Sequence, residues 1–144
     1  MQGHAMPCPC FFRCGQDHAM ANLRKIGAEG EAAAARFLQG QGYSILERNF
    51  GTKFGEIDLI AREKNTLVFV EVKFRRNPDF GSPQEAVTRA KIRQIGRAAL
   101  GYLVKKRLND VLCRFDVVAV RADGDEKFTF ELFRDAFVPP LRLP

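Results

Sequence analysis

Apolar residues recur along the chain at two spacings, one typical of helices and one typical of strands. Between Asn22 and Gln41 they stand three and four positions apart, at Leu23, Ile26, Ala33, Ala34, Phe37 and Leu38. This spacing predicts an amphipathic helix, with Asn22 as its N-cap and Gly42 as its C-terminal stop. Glu31 lies one turn from two of the buried alanines, so we expect it at the edge of the apolar stripe.

The segments that follow show strand patterns. They cover residues 43–50, 55–63 and 66–74, and Lys64-Asn65 reads as a tight turn between the last two. Residues 112–120 are almost continuously apolar, which indicates a strand covered on both faces. Residues 127–133 alternate, as expected for a last strand nearer the edge of a sheet.

A second helix is indicated by the stretch "SPQEAV", in which Ser82 is the N-cap, Pro83 takes the first helical position and Glu85 completes a capping box. The pattern predicts that this helix runs to about Lys106. The strand, helix and strand between residues 66 and 120 form a crossover unit, which makes the two strands parallel. We therefore predict an α/β fold with a mixed β-sheet flanked by helices, in the order α-β-β-β-α-β-β.

The length and composition fit one compact domain. The chain has 144 residues, of which 46% are hydrophobic, enough for a sizeable core. We assign residues 21–138 to this domain and residues 139–144 to a C-terminal tail. Residues 1–20 read as an N-terminal extension that is expected to be poorly ordered. This extension carries zinc-type ligands, but the pattern has no second half, so a plain tail is the stronger interpretation. The ligands are Cys8, Cys10, Cys14 and His18.

The chain shows neither an apolar run of about 20 residues, the length of a membrane helix, nor the apolar region of a secretory signal. We therefore expect a cytoplasmic protein with no membrane partner. The net charge of +6 favours an anionic partner, and nucleic acid is the leading candidate. Arg89, Arg93 and Arg97 form a row along the second helix, which is either a phosphate-binding surface or a solvated helix face.

Two carboxylates interrupt the hairpin of residues 55–63 and 66–74. If its loop has two or four residues, Asp58 stands directly opposite Glu71, whereas a three-residue loop would break this register. Facing carboxylates repel each other, and near a core the pKa of one of them rises. A divalent cation removes the conflict, since Mg²⁺ binds carboxylate, water and phosphate oxygens.

Lys73 shares the strand face of Glu71, where it can orient or deprotonate a water molecule or neutralise developing charge. Glu31 can add a carboxylate to the same site. The alternative is that these acids form ordinary surface ion pairs, as Asp116 can do with a nearby arginine.

The helix acid Glu31, "GEIDLIA" with Asp58, and "EVK" at residues 71–73 together resemble the PD-(D/E)xK nuclease superfamily. Within it the chain is similar to the YraN family of predicted nucleases, with matching segments over most of residues 27–120. The resemblance implies a restriction-endonuclease-like fold, Mg²⁺ or Mn²⁺ held by Glu31, Asp58 and Glu71, and Lys73 as the catalytic lysine. It also implies that two polar residues of the capped helix, Gln84 and Lys91, face the site.

The resemblance extends to Holliday-junction resolvases, which implies a homodimer and a DNA substrate. The leading hypothesis is therefore a metal-dependent endonuclease acting on DNA, with branched DNA as a candidate substrate. One alternative is a non-catalytic nucleic-acid-binding protein that retains a nuclease-like fold. Another is an interaction protein whose acids serve only as surface ion pairs.

Overall fold

The computed structural model of the protein describes residues 9–75, 87–123 and 127–140, and it describes side chains from Lys25 onward. In chain order the elements are α1 (Pro9–Gly40), β1 (Ser44–Thr52), β2 (Gly55–Glu63), β3 (Thr66–Arg75), α2 (Arg89–Lys105), β4 (Leu112–Asp123) and β5 (Lys127–Phe133). This order confirms the predicted α-β-β-β-α-β-β arrangement.

The strands form one mixed sheet in the order β1-β2-β3-β4-β5. The pairs β1–β2, β2–β3 and β4–β5 are antiparallel, whereas β3 and β4 are parallel and joined through α2. The parallel crossover and the edge position of β5 are therefore confirmed. The central strand β3 is buried from Leu67 to Val72, because helices cover both of its faces.

Each face of the sheet carries its own apolar cluster. On one face α1 contributes Ala34, Ala35 and Leu38, which pack with valines of β3 and β4. On the other face α2 contributes Ile95 and Tyr102, and the cluster there is rich in aromatic rings. The rings of Phe50, Phe69 and Phe115 join this second cluster. The two clusters hold the sheet between the helices, and the candidate site lies in β2 and β3 between them.

The first helix begins earlier than the sequence pattern indicates. Among the described residues the backbone is helical from Pro9 onward, so the prediction of an N-cap at Asn22 is wrong. No second proline interrupts the chain from Cys10 to Gly40. The helix therefore continues into the segment that the sequence analysis treats as an extension.

The second helix begins later than predicted. Val87 and Thr88 are not helical, and the Thr88 hydroxyl accepts a hydrogen bond from the backbone N–H of Lys91 at 3.2 Å. Thr88 is therefore the N-cap of α2. A continuous helix from Ser82 to Lys106 is excluded, although Ser82 itself lies outside the described residues.

Across the described ranges, none of the helices combines the length and the apolar character that a bilayer span requires.

Candidate active site

The β2–β3 hairpin has the predicted register. Glu63 pairs with Thr66, and the pairing continues regularly to Leu59 and Val70. The next position would bring Asp58 opposite Glu71, and there the regular pairing ends. One carboxylate oxygen of Asp58, Oδ2, instead accepts a hydrogen bond from the backbone N–H of Val72 at 2.9 Å. This bond fixes the Asp58 side chain beside Glu71.

The break at Asp58 also changes which face the neighbouring residues occupy. Simple alternation predicts that Ile57 and Leu59 share a face, opposite Ile60. In the structure Leu59 packs in the α1 cluster, whereas Ile57 joins Ile60 in the α2 cluster. That part of the prediction is wrong. The physical reason is that a side-chain oxygen, and not a strand backbone, accepts the Val72 N–H, so the strand need not keep its regular pleat.

Glu71 is a buried acid, and only 5% of its side chain is exposed. Burial raises the pKa of Glu71 to about 7, and the nearby charge of Asp58 contributes to the rise. The ammonium groups of Lys91 and Lys73 oppose it, with Nζ at 3.8 Å and 3.4 Å from Glu71 Oε1. The other oxygen, Oε2, is buried and has no hydrogen-bond partner among the described residues. Because this oxygen lies next to the Asp58 carboxylate, it is a candidate cation ligand.

Glu31 approaches this pair from α1. The preceding Gly30 lets the helix lie close to the sheet, because a Cβ at that position would overlap the Phe74 ring of β3. Burial raises the pKa of Glu31, and the charges of Asp58 and Glu56 add to the effect. The carboxylates of Glu31, Asp58 and Glu56 are therefore close enough to repel one another.

Asn49 relieves part of this repulsion. With its amide nitrogen facing the acids, it donates to Glu31 Oε2 at 3.2 Å and to Glu56 Oε1 at 3.0 Å. Its backbone has a φ of 50°, a left-handed conformation that asparagine tolerates better than most residues. Neither Asn49 nor the part of Glu56 in this cluster is predicted from the sequence pattern. An asparagine inside a strand pattern, where that residue is uncommon, was the available signal.

The basic residues of α2 fall into two groups. Lys91 faces Glu71, as its ion pair requires. Arg89, Arg93 and Arg97 are exposed, and Arg93 and Arg97 line a shallow groove together with Gln94 and Ala90. Gln84 lies outside the described residues. The predicted row of arginines is therefore a solvent-facing surface beside the acids.

Most of the chain matches the model of a known protein family. Residues 30–120 match the family described as "Uncharacterised protein family UPF0102". The chain belongs to the UPF0102 family. All acids and lysines of the candidate site lie within the matched UPF0102 segment, from Glu31 to Lys91. The cysteines of the N-terminal extension lie outside it.

UPF0102 relatives match most of the chain. A UPF0102 protein of Geotalea daltonii is 52% identical over 114 residues, which cover 79% of this chain and 90% of the relative. One from Geotalea uraniireducens is 50% identical over 81% of this chain and 92% of its own length. One from Syntrophotalea carbinolica is 54% identical over 70% of this chain and 82% of its own length.

The carboxylates of the UPF0102 site can be compared with the ligands that a divalent cation requires. In the part of the chain that the structure describes, no three carboxylate, imidazole or thiolate groups already converge as a complete ligand set. A cation such as Mg²⁺ needs only one or two carboxylates, with water and substrate oxygens as its other ligands. The unpartnered Glu71 Oε2 beside the Asp58 carboxylate supplies that chemistry. The residues present therefore fit the cation, and Glu31, whose pKa responds to the charge of Asp58, is a further carboxylate close to it.

A second buried charge cluster lies at the opposite end of the hairpin and looks different. Asp116 is fully buried and accepts hydrogen bonds from the Tyr43 hydroxyl at 2.8 Å, from Arg114 Nε at 2.8 Å and from the Asp135 N–H at 2.9 Å. Arg114 also pairs with Glu63, which pairs with Arg134 at 2.8 Å. The expected pairing of Asp116 with an arginine is confirmed, and its role is structural.

Proposed function

We propose that this UPF0102 protein is a divalent-metal-dependent endonuclease that hydrolyses phosphodiester bonds in DNA, with branched DNA as a candidate substrate. The observation that carries the proposal is the buried oxygen of Glu71 beside Asp58, which has no hydrogen-bond partner within the described ranges, with two lysines next to it. A purely structural acid would have both oxygens satisfied. The proposal includes a restriction-endonuclease-like arrangement of the sheet and helices.

Each residue has a distinct part in this proposal. Asp58 and Glu71 hold the cation, and Glu31 completes the negative site. Mg²⁺ or Mn²⁺ bound there supplies Lewis-acid polarisation of the scissile phosphate and a water molecule of lowered pKa. The Val72 N–H keeps Asp58 oriented, and Asn49 keeps Glu31 oriented.

The lysines serve the phosphate. Lys73 and Lys91 lie beside Glu71, and both are partly exposed. An ammonium group in this position neutralises the charge that develops on the phosphate oxygens as water attacks phosphorus. A P–O bond to water forms, the P–O bond to the leaving oxygen breaks, and that oxygen takes up a proton. The exposed arginines of α2 would hold the DNA backbone.

The test is a cleavage assay on duplex, flapped and four-way DNA with Mg²⁺ and with Mn²⁺. We expect metal-dependent cleavage that Asp58→Asn reduces to background and Lys73→Ala lowers by about a hundredfold or more. Asp110→Asn, an isosteric change of an exposed acid whose left-handed backbone suits asparagine, is the matched control and should cut like the wild type. A wild type that stays inert on all three substrates with both metals contradicts the proposal.

A second candidate function is DNA binding without cleavage. It is favoured by the two lysines, which already form ion pairs with Glu71, and by the absence of a complete three-group ligand set within the described ranges. Under this function the protein binds DNA in a salt-dependent manner. Binding would then survive Asp58→Asn, and no metal would induce cleavage.

A further inference from the structure

The tip of the β1–β2 hairpin presents an aromatic ring in a fixed position. Lys53 and Phe54 form a two-residue turn between the paired Thr52 and Gly55. The Thr52 hydroxyl accepts a hydrogen bond from the Phe54 N–H at 3.1 Å and donates to the Gly55 carbonyl at 3.2 Å. The turn is therefore held on both sides by one side chain.

Gly55 ties the same tip to α2. Its φ is +153°, and a Cβ there would lie only 3.2 Å from the Cβ of Gln94. Glycine therefore permits a close approach between the hairpin and the helix that a larger residue would resist. The approach places Phe54 beside the groove that Gln94 lines together with Arg93 and Arg97.

The Phe54 ring is not explained by either apolar cluster. It belongs to neither, and 42% of the residue is exposed. Two cations lie over the ring instead, with Lys53 Nζ at 5.1 Å and Arg97 Cζ at 5.7 Å from its centroid. A preorganised, exposed ring flanked by positive charge is the combination that single-stranded nucleic acid recognises, because bases stack on the ring while cations meet the phosphates.

Phe54 also lies close to the candidate active site along the chain. β2 begins at Gly55, directly after Phe54, and Asp58 is the fourth residue of this strand. A strand rises about 3.3 Å per residue, so the four residues from Phe54 to Asp58 span about 13 Å, a distance of a few nucleotides. A base held on Phe54 would therefore belong to a nucleotide within a few positions of the phosphate at the acids.

We infer that Phe54 is a stacking platform for an unpaired nucleobase, and that Lys53 and Arg97 bind the phosphates on either side of it. This inference rests on the proposed function and narrows its substrate class to nucleic acid with unpaired bases near the cleavage point. Bases within an intact duplex are stacked on one another and cannot reach such a ring unless they leave the stack. The ring thus selects single-stranded tails, flaps or branch points.

The experiment measures binding by fluorescence anisotropy in a chelating buffer, so cleavage plays no part. The probes are a fluorescein-labelled 20-nucleotide dT strand, the corresponding rU strand and a blunt 20-base-pair duplex. We expect the wild type to bind a single strand more tightly than the duplex. Phe54→Ala should weaken single-strand binding roughly tenfold or more and should leave duplex binding within about twofold. Comparison of dT with rU shows whether the platform serves DNA or RNA.

Two further variants separate stacking from packing. Phe54→Leu keeps an apolar contact with α2 but has no aromatic face, so it should bind like Phe54→Ala. Phe54→Tyr keeps the face and should bind like the wild type. Leu112→Ala is the control, because Leu112 is 70% exposed and pairs with Thr66 of β3, outside the β1–β2 hairpin. Its affinity should be unchanged.

Several results would overturn the inference. They are equal binding of single strand and duplex by the wild type, equal losses on both probes in Phe54→Ala, and wild-type affinity in Phe54→Leu. If Phe54→Ala does not fold, the single-strand affinity of Phe54→Leu tests the inference in its place. A protein that needs Phe54 for single-strand binding but never cuts DNA keeps this inference and loses the proposed nuclease activity. A protein that cuts DNA with no single-strand preference keeps the nuclease activity and loses this inference.

Discussion

Glu71 and Asp116 are both carboxylates buried in the sheet, and they have opposite surroundings. Asp116 accepts hydrogen bonds from a hydroxyl, a guanidinium and a backbone N–H. Glu71 has one oxygen beside two ammonium groups and one with no partner among the described residues. A satisfied buried acid stabilises the fold, whereas an unsatisfied one weakens it unless a ligand binds. The number of hydrogen-bond partners around each buried acid therefore distinguishes a structural cluster from a candidate site.

The largest effect should come from removing the satisfied acid. Asp116→Ala leaves the Arg114 guanidinium and the Tyr43 hydroxyl without their buried acceptor, so we expect a loss of about 3–5 kcal/mol in the free energy of unfolding. Urea denaturation followed by circular dichroism measures it. The exposed Asp110→Asn should stay within about 0.5 kcal/mol of the wild type. A loss below about 1 kcal/mol for Asp116→Ala would show that the cluster is not needed for stability.

Replacing Glu71 should change the free energy of unfolding in the opposite direction, toward greater stability. Its pKa in the folded protein is raised to about 7 from 4.5, so ionisation costs stability as the pH rises through this interval. Glu71→Gln keeps the shape and removes the charge. In a chelating buffer at pH 8 we expect the variant to be more stable than the wild type by about 1–3 kcal/mol. Below pH 4.5, where the wild-type acid is neutral in both states, the difference should disappear.

Added metal should reverse that ranking. Mg²⁺ or Mn²⁺ at a hundred times its dissociation constant raises the stability of the wild type by about 2.7 kcal/mol if it binds only the folded state. Glu71→Gln lacks the second carboxylate and should respond less. Thermal shift titrations at pH 8 measure both proteins. Equal responses of wild type and variant would mean that any metal binds elsewhere.

The hairpin register was predictable because strand geometry and loop length leave few options. With an even loop, Leu59 has to pair with Val70, and the structure has that pair. The break one residue further was not predictable from the pattern. It depends on the Asp58 side chain taking the Val72 N–H, which period-two alternation does not represent. The closeness of Asp58 and Glu71 was therefore predictable from the register, although the strand around them is irregular.

Helix starts were harder to predict for a related reason. Ser82 and Thr88 are both good N-caps, and nothing local in the sequence decides between them. The capping bond of Thr88 decides for the described helix. Asn49 was missed because its two bonds join residues from α1 and β2, a contact that only the tertiary structure creates.

The smallest change in stability should come from replacing Glu63, which lies at the edge of the cluster around Asp116. Hydrogen bonding and the positive charge of Arg114 hold the pKa of Glu63 below its usual range, and Arg134 adds to this. A depressed folded-state pKa means that Glu63 stabilises the protein above about pH 4.5, and that this stability is lost as the pH falls through the folded-state value.

The test compares the wild type with Glu63→Gln by urea denaturation from pH 7 to pH 3. We expect an advantage of about 1 kcal/mol for the wild type at pH 7, since the pair with Arg134 is partly exposed. The advantage should shrink as the pH falls through the lowered folded-state pKa of Glu63. At Glu71 the corresponding difference has the opposite sign and grows with rising pH. If both acids gave the same sign, partner count would not distinguish a structural carboxylate from a ligand-binding one.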